Sequence, residues 1–85
     1  MARVKVYSTG ICLICDKTKQ LLTKWAIPYQ EVRLDLDRNA LREFTEITNG
    51  ARMVPQITID DKWIGSFMEL TELYMEGELD ALVEG

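Results

Sequence analysis

Apolar and polar positions alternate over residues 3–7, Arg-Val-Lys-Val-Tyr, which predicts a short strand with one buried face. From Leu13 the period changes. Leu13, Ile14, Thr18, Leu21, Leu22 and Trp25 recur at helical spacing while Lys17, Gln20 and Lys24 take the outer face, so a helix runs to about Trp25. Ile27-Pro28 ends it, because the residue before a proline disfavours helix. Alternation returns over residues 29–36, with Val32, Leu34 and Leu36 on one face and Glu31, Arg33 and Asp35 on the other. Asp37 is a good N-cap for a helix over residues 38–48, with Leu41, Phe44 and Ile47 or Thr48 inward and Asn49-Gly50 as its stop.

Ile57 and Ile59 alternate within a strand over residues 54–60, which Pro55 opens at a position where a missing N–H is tolerated. Asp60-Asp61 makes a tight turn into Lys62-Trp63-Ile64, giving an antiparallel hairpin. Ser66 with Glu69 three residues on forms a capping box for a helix with Phe67, Leu70, Leu73 and Tyr74 inward, broken near Gly77. Leu79, Leu82 and Val83 add a last amphipathic turn or two. The order β-α-β-α-β-β-α implies a small α/β unit. Its first two strands are parallel through a right-handed crossover, and helices cover both faces of a four-stranded mixed sheet.

Composition narrows the class. A chain of 85 residues, 47% of them apolar, suits one domain over residues 1–85 rather than a disordered segment. No apolar run approaches a membrane span, so no membrane partner is expected. Met1-Ala2-Arg3 leads directly into a strand without a basic-then-apolar signal segment, so a reducing, cytoplasmic setting is expected. The net charge of −4, with no compact basic block, argues against nucleic acid.

The chemistry sits where the first strand gives way to the first helix. Both cysteines of the chain fall there, as Cys12-Leu13-Ile14-Cys15. At a helix start Cys12 lies beside unpaired backbone N–H groups, whose dipole favours a thiolate; Cys15 lies one turn on, in reach of a mixed disulfide at Cys12. That makes Cys12 the expected nucleophile and Cys15 the resolving thiol. A zinc site needs about four ligands, and two cysteines without a histidine do not supply them. No metal is expected. The Asp35-Leu36-Asp37 pair reads as a strand end and a helix cap.

At these residues the sequence resembles the glutaredoxins, within the thioredoxin-fold superfamily. Three motifs in order carry the resemblance. They are Val6-Tyr7-Ser8 with Cys12 and Cys15 followed by Thr18-Lys19, then Val54-Pro55-Gln56-Ile57, then Trp63-Ile64-Gly65-Ser66 with Glu69-Leu70. The resemblance implies a thioredoxin-like (glutaredoxin) fold and glutathione as reductant. It also implies a cis bond before Pro55, which leaves the backbone of Val54 to pair with a bound thiol peptide by strand addition. By the same resemblance the start of the last long helix, at Gly65, Ser66, Phe67 and Met68, holds a ligand carboxylate. Glu69 meets its ammonium, Arg52 reaches the other carboxylate, and Ile14 and Met53 flank the ligand.

Departures from the family pattern sharpen the reading. Thr9 stands where many glutaredoxins carry a cation. Leu13-Ile14 replaces Pro-Tyr, Met53 replaces threonine, and Phe67-Met68 replaces a Cys-Asp type pair. Losing the cation weakens glutathione binding and thiolate stabilisation, and the apolar replacements suggest a rim suited to a protein disulfide. Lys19 is expected to add at most a weak positive potential. The expected protein is thus a monomeric dithiol oxidoreductase acting on protein disulfides and glutathione mixed disulfides. Two alternatives remain open: an electron donor to ribonucleotide reductase recharged by thioredoxin reductase, and a non-enzymatic, glutathione-ligated iron–sulfur carrier.

Overall fold

In a computed structural model, which describes residues 2–84, the elements run β1 (Val4–Ser8), α1 (Leu13–Lys24), β2 (Gln30–Arg33), α2 (Arg38–Ile47), β3 (Gln56–Ile59), β4 (Lys62–Gly65), α3 (Phe67–Met75) and α4 (Leu79–Glu84). Met1 and Gly85, the ends of the expected domain, lie outside the described residues. The sheet order is β2-β1-β3-β4, with β1 parallel to β2 and antiparallel to β3, and β3 antiparallel to β4. The thioredoxin-like architecture expected from the sequence is present, with the final amphipathic turn extended into α4.

Alternation in β1 and β3 divides the core between the two faces of the sheet. Val4, Val6, Ile57 and Ile59 pack with Leu22 of α1, Leu70 of α3, and Leu79 and Val83 of α4. On the other face Tyr7 packs with Leu34, Ala40 and Phe44, the Tyr7 and Phe44 rings 5.5 Å apart. Asp60 and Asp61 both take positive φ (51° and 65°), the backbone that a two-residue hairpin turn needs. Arg3 N–H donates to Asp60 Oδ1 at 2.8 Å and ties this turn to β1. Among the described residues, no helix is long and apolar enough to cross a membrane.

Three expectations from periodicity are corrected. The second strand ends at Arg33, because Leu36 N–H closes a turn onto Arg33 O (3.3 Å); Leu34 stays buried, but Leu36 is 73% exposed. In α2 the buried stripe is Ala40, Phe44 and Thr48 rather than one including Leu41, which is exposed. Asp37 Oδ1 caps Asn39 and Ala40 N–H and so sets the phase of the helix, while Thr48 satisfies its hydroxyl on Phe44 O at 2.7 Å. The first helix ends where expected, at Lys24 with Trp25 as its C-cap, and a left-handed Ala26 (φ 59°) turns the chain before the proline. Tyr74 is half-exposed and stacks on Trp25, ring centroids 3.8 Å apart, covering the edge of the core instead of entering it.

Candidate active site

Cys12 is the N-cap of α1, in extended backbone (φ −157°, ψ 102°), and its Sγ accepts a hydrogen bond from Cys15 N–H at 3.1 Å. The same N–H would favour a thiolate on Cys12, as would the positive end of the helix dipole. The two cysteines are joined as a disulfide across a Cα–Cα distance of 5.2 Å, within the range that bond requires. Their environments differ. Cys12 is partly accessible, whereas Cys15 is 0% exposed behind it.

The loop that delivers Cys12 is anchored by a pair the sequence reading did not single out. Gly10 N–H donates to Asp35 Oδ2 at 3.2 Å, and Arg33 holds the same carboxylate in a two-pronged clasp of 2.9 and 2.8 Å. A Cβ on Gly10 would stand 2.6 Å from Arg33 Nη2, so glycine lets the loop lie against the pair. Arg33 holds the Asp35 carboxyl below the usual carboxylate range. A cation therefore does lie beside this loop, one residue past Thr9, but its charge is met by Asp35.

Lys19 is likewise engaged, its charge met by two carboxylates. Its Nζ lies 2.7 Å from Glu31 Oε2 and 3.3 Å from Asp16 Oδ1, and Ser8 Oγ donates to the same Glu31 oxygen at 2.7 Å. These bonds, Lys19's first, lower the Glu31 pKa, and Glu31 raises that of Lys19. A depressed carboxylate pKa contributes stability above its unfolded value and loses it as pH falls through the folded value. Glu31→Gln should therefore lower Tm by about 2–6 °C at pH 7 and by less near pH 3. Melting curves at the two pH values check this; an equal loss at both would assign the effect to packing.

Across from the dithiol, the Val54–Pro55 peptide is cis. The loop over residues 53–55 is supported from below by a relay: Trp63 Nε1 donates to Gln56 Oε1 at 2.8 Å, and Gln56 Nε2 donates to Met53 O at 3.1 Å. Val54 lies outside every strand, and neither its N–H nor its C=O is engaged in a turn or cap among the described residues. The third wall is the start of α3. Glu69 Oε1 accepts from Ser66 N–H (2.6 Å) and Ser66 Oγ (2.7 Å), which holds its carboxyl below the usual range. Gly65 has φ 118°, and a Cβ there would meet Glu69 Cγ at 2.6 Å, so no other residue fits under this cap.

These walls enclose a cavity of about 180 Å³ lined by Ile14, Met53, Val54, Pro55, Ser66, Phe67 and Met68. Seven of the expected binding positions thus meet in one place. Thr9 and Arg52 line a second cavity of about 570 Å³ on the other side of Val54, beside Leu41 and Phe44. Gly65 and Glu69 face a third, with Trp63 and Ile64. Leu13 (86% exposed), Ile14 (53%) and Met53 (75%) project to solvent rather than into the core.

A family model described as glutaredoxin matches residues 4–64. The chain belongs to the glutaredoxin family. It is 36% identical over 84 residues to glutaredoxin 3 of Escherichia coli, covering 99% of this chain and all of that one. It is also 33% identical over 82 residues to a probable glutaredoxin of Synechocystis, covering 96% and 93% of the two chains. Among solved structures, the buckwheat glutaredoxin–glutathione complex superposes with a TM-score of 0.83 at 25% identity, over 98% of this chain and 77% of that one. The holo form of glutaredoxin C1 from Populus tremula x tremuloides gives 0.82 at 33% identity, over the same shares. The activity of this glutaredoxin is thiol–disulfide oxidoreduction.

Proposed function

We propose that this glutaredoxin reduces protein disulfides and glutathione mixed disulfides through Cys12 and is recharged by glutathione. The observation that carries the reading is the asymmetry of the dithiol: Cys12 is partly accessible at a helix N-cap, and Cys15 is buried behind it. Cys12 thiolate attacks one sulfur of the target disulfide. The displaced thiolate takes up a proton and leaves, and a Cys12 mixed disulfide remains. Cys15, as thiolate, then attacks Cys12 Sγ, forming the Cys12–Cys15 disulfide and releasing the second target thiol. Two glutathione thiols reverse the oxidation and leave as glutathione disulfide.

Glutathione itself fits the site in a stated way. Its cysteinyl backbone pairs with Val54 N–H and C=O, one carboxylate meets the N–H groups at the start of α3 around Phe67 and Met68, and the other meets Arg52 beside Thr9. Support for this reading comes from the buckwheat relative, which was solved with glutathione. The test is turnover of a small glutathione mixed disulfide, coupled to glutathione reductase and NADPH. Steady turnover that survives Cys15→Ser is expected, since that reaction needs only Cys12. Absence of turnover while the dithiol still reduces a protein disulfide would overturn glutathione dependence.

A second reading keeps the dithiol chemistry and replaces the electron supply with a flavoprotein reductase of the thioredoxin reductase type, with ribonucleotide reductase as one acceptor. What favours it is the charge at the loop: Thr9 offers no cation, and Arg33 is neutralised by Asp35. Reduction by such a reductase with NADPH, in the absence of glutathione, decides for it.

A further inference from the structure

The face around the dithiol carries an uneven distribution of apolar and charged groups. Ile11 is fully exposed, and Leu13, Ile14, Met53 and Met68 are largely so, an apolar concentration unusual for free surface. The nearby carboxylates are all held internally: Asp16 and Glu31 by Lys19, Asp35 by Arg33, and Glu69 by Ser66. Two cations are not. Arg52 makes no ion pair among the described residues, and Lys17 makes none either, its Nζ lying 5.6 Å from the centre of the Phe67 ring. Much of the negative charge of the chain lies elsewhere, with Glu72, Glu76, Glu78, Asp80 and Glu84 in the last two helices and the turn between them.

Val54 separates two dissimilar cavities. On one side lies the small apolar one, walled by Ile14, Met53, Pro55, Phe67 and Met68. On the other lies the larger one that Arg52 and Thr9 border. Because Val54 borders both cavities, an extended chain paired to its free N–H and C=O runs from beside one to beside the other, so the residues before and after its cysteine lie next to different cavities.

We infer that the preferred substrate is an extended protein segment whose disulfide-bonded cysteine is flanked by a large apolar side chain on one side and a carboxylate on the other. The apolar side chain fills the Phe67–Met68 cavity, and the carboxylate meets Arg52. This deepens the dithiol reading above and rests on it. The apolar contact supplies most of the discrimination, because a buried leucine-sized group outweighs one solvent-exposed ion pair.

The test uses short synthetic peptides with one cysteine carried as a mixed disulfide with thionitrobenzoate. Cys12 attack on the peptide sulfur expels the coloured thiolate, and Cys15 then frees the peptide thiol as the Cys12–Cys15 disulfide closes. Peptides carry leucine and glutamate on either side of the cysteine, in both orders, against versions with serine for leucine or lysine for glutamate. In at least one order, leucine should raise the rate constant of colour release about tenfold over serine. Glutamate should raise it about two- to fivefold over lysine, an advantage that fades at 1 M salt. Arg52→Glu should invert the glutamate-over-lysine preference while the leucine preference remains.

Equal rates for all peptides, with the protein still reducing hydroxyethyl disulfide, would overturn the docking surface and leave the oxidoreductase reading standing. So would an Arg52→Glu protein that keeps the original charge preference. Failure to reduce hydroxyethyl disulfide or any peptide would instead strike the dithiol reading itself.

Discussion

Cys12→Ser is expected to abolish reduction of every disulfide, by a factor on the order of a thousand or more. The size follows from what is removed. Cys12 is the dithiol sulfur that solvent reaches, and it is the one at the N-cap, where Cys15 N–H and the helix dipole stabilise negative charge. A serine hydroxyl placed there is scarcely ionised at neutral pH and is a poor nucleophile toward sulfur. Cys15 cannot replace it, being 0% exposed. Cys15→Ser should behave differently. With a protein disulfide it should stall after the first attack, and mass spectrometry should find substrate attached at Cys12. With a glutathione mixed disulfide it should turn over. NADPH oxidation in the coupled assay reads both variants. If the Cys12→Ser protein still reduced disulfides, Cys15 would have to be the attacking sulfur, and the asymmetry of the dithiol would have been misjudged.

The parts of this site that could be read from the sequence are those whose residues are neighbours along the chain. Cys12 with Cys15, Val54 with Pro55, and Ser66 with Glu69 each span no more than four positions. Their chemistry follows from local backbone rules: an N-cap, an X–Pro bond, a capping box. The pairs that hold them in place are of another kind. Asp35 reaches Gly10 from 25 residues away, and Lys19 reaches Glu31 from 12. Trp63 Nε1 meets Gln56 only because β3 and β4 are hydrogen-bonded neighbours. A buried or half-buried indole N–H needs an acceptor, so Trp63 did announce a partner, though not which one.

Periodicity erred at particular turns of α1 and α2. Leu13, Ile14 and Leu41 repeat at core spacing yet are exposed, because spacing alone does not say which turns of a helix have a neighbour. The exposure that the pattern missed at Leu13 and Ile14 is what forms the apolar rim of the dithiol. Ala26 adopts a left-handed conformation without the glycine that usually marks it, so the end of α1 carried no signal at that residue.

The largest effect on stability should come from Leu70→Ala. Leu70 is fully buried in the cluster formed by Val6, Leu22 and Ile57 on the α1 face of the sheet. Removing a leucine side chain from such a site costs about 2–5 kcal/mol, part from lost transfer and part from the cavity left behind. For 85 residues, a total stability of roughly 4–13 kcal/mol is expected at the usual value per residue. One truncation therefore removes a large fraction of it. Leu70→Met, which nearly conserves volume, should cost less than about 1.5 kcal/mol. Leu82→Ala, on the half-exposed side of α4, should stay within about 0.5 kcal/mol. Urea unfolding with the dithiol kept reduced separates the three: the midpoint should fall steeply for Leu70→Ala, slightly for Leu70→Met and hardly for Leu82→Ala, with the slope unchanged. The consequence reaches the site, because Leu70 N–H closes the first turn of α3 onto Ser66 O at 3.0 Å, next to Phe67 and Met68. Loss of peptide preference at urea concentrations below the unfolding midpoint would show that α3 loosens before the sheet. If Leu70→Ala and Leu82→Ala proved equally mild, the cluster around Leu70 would not be the part of the core that holds α3 against the sheet.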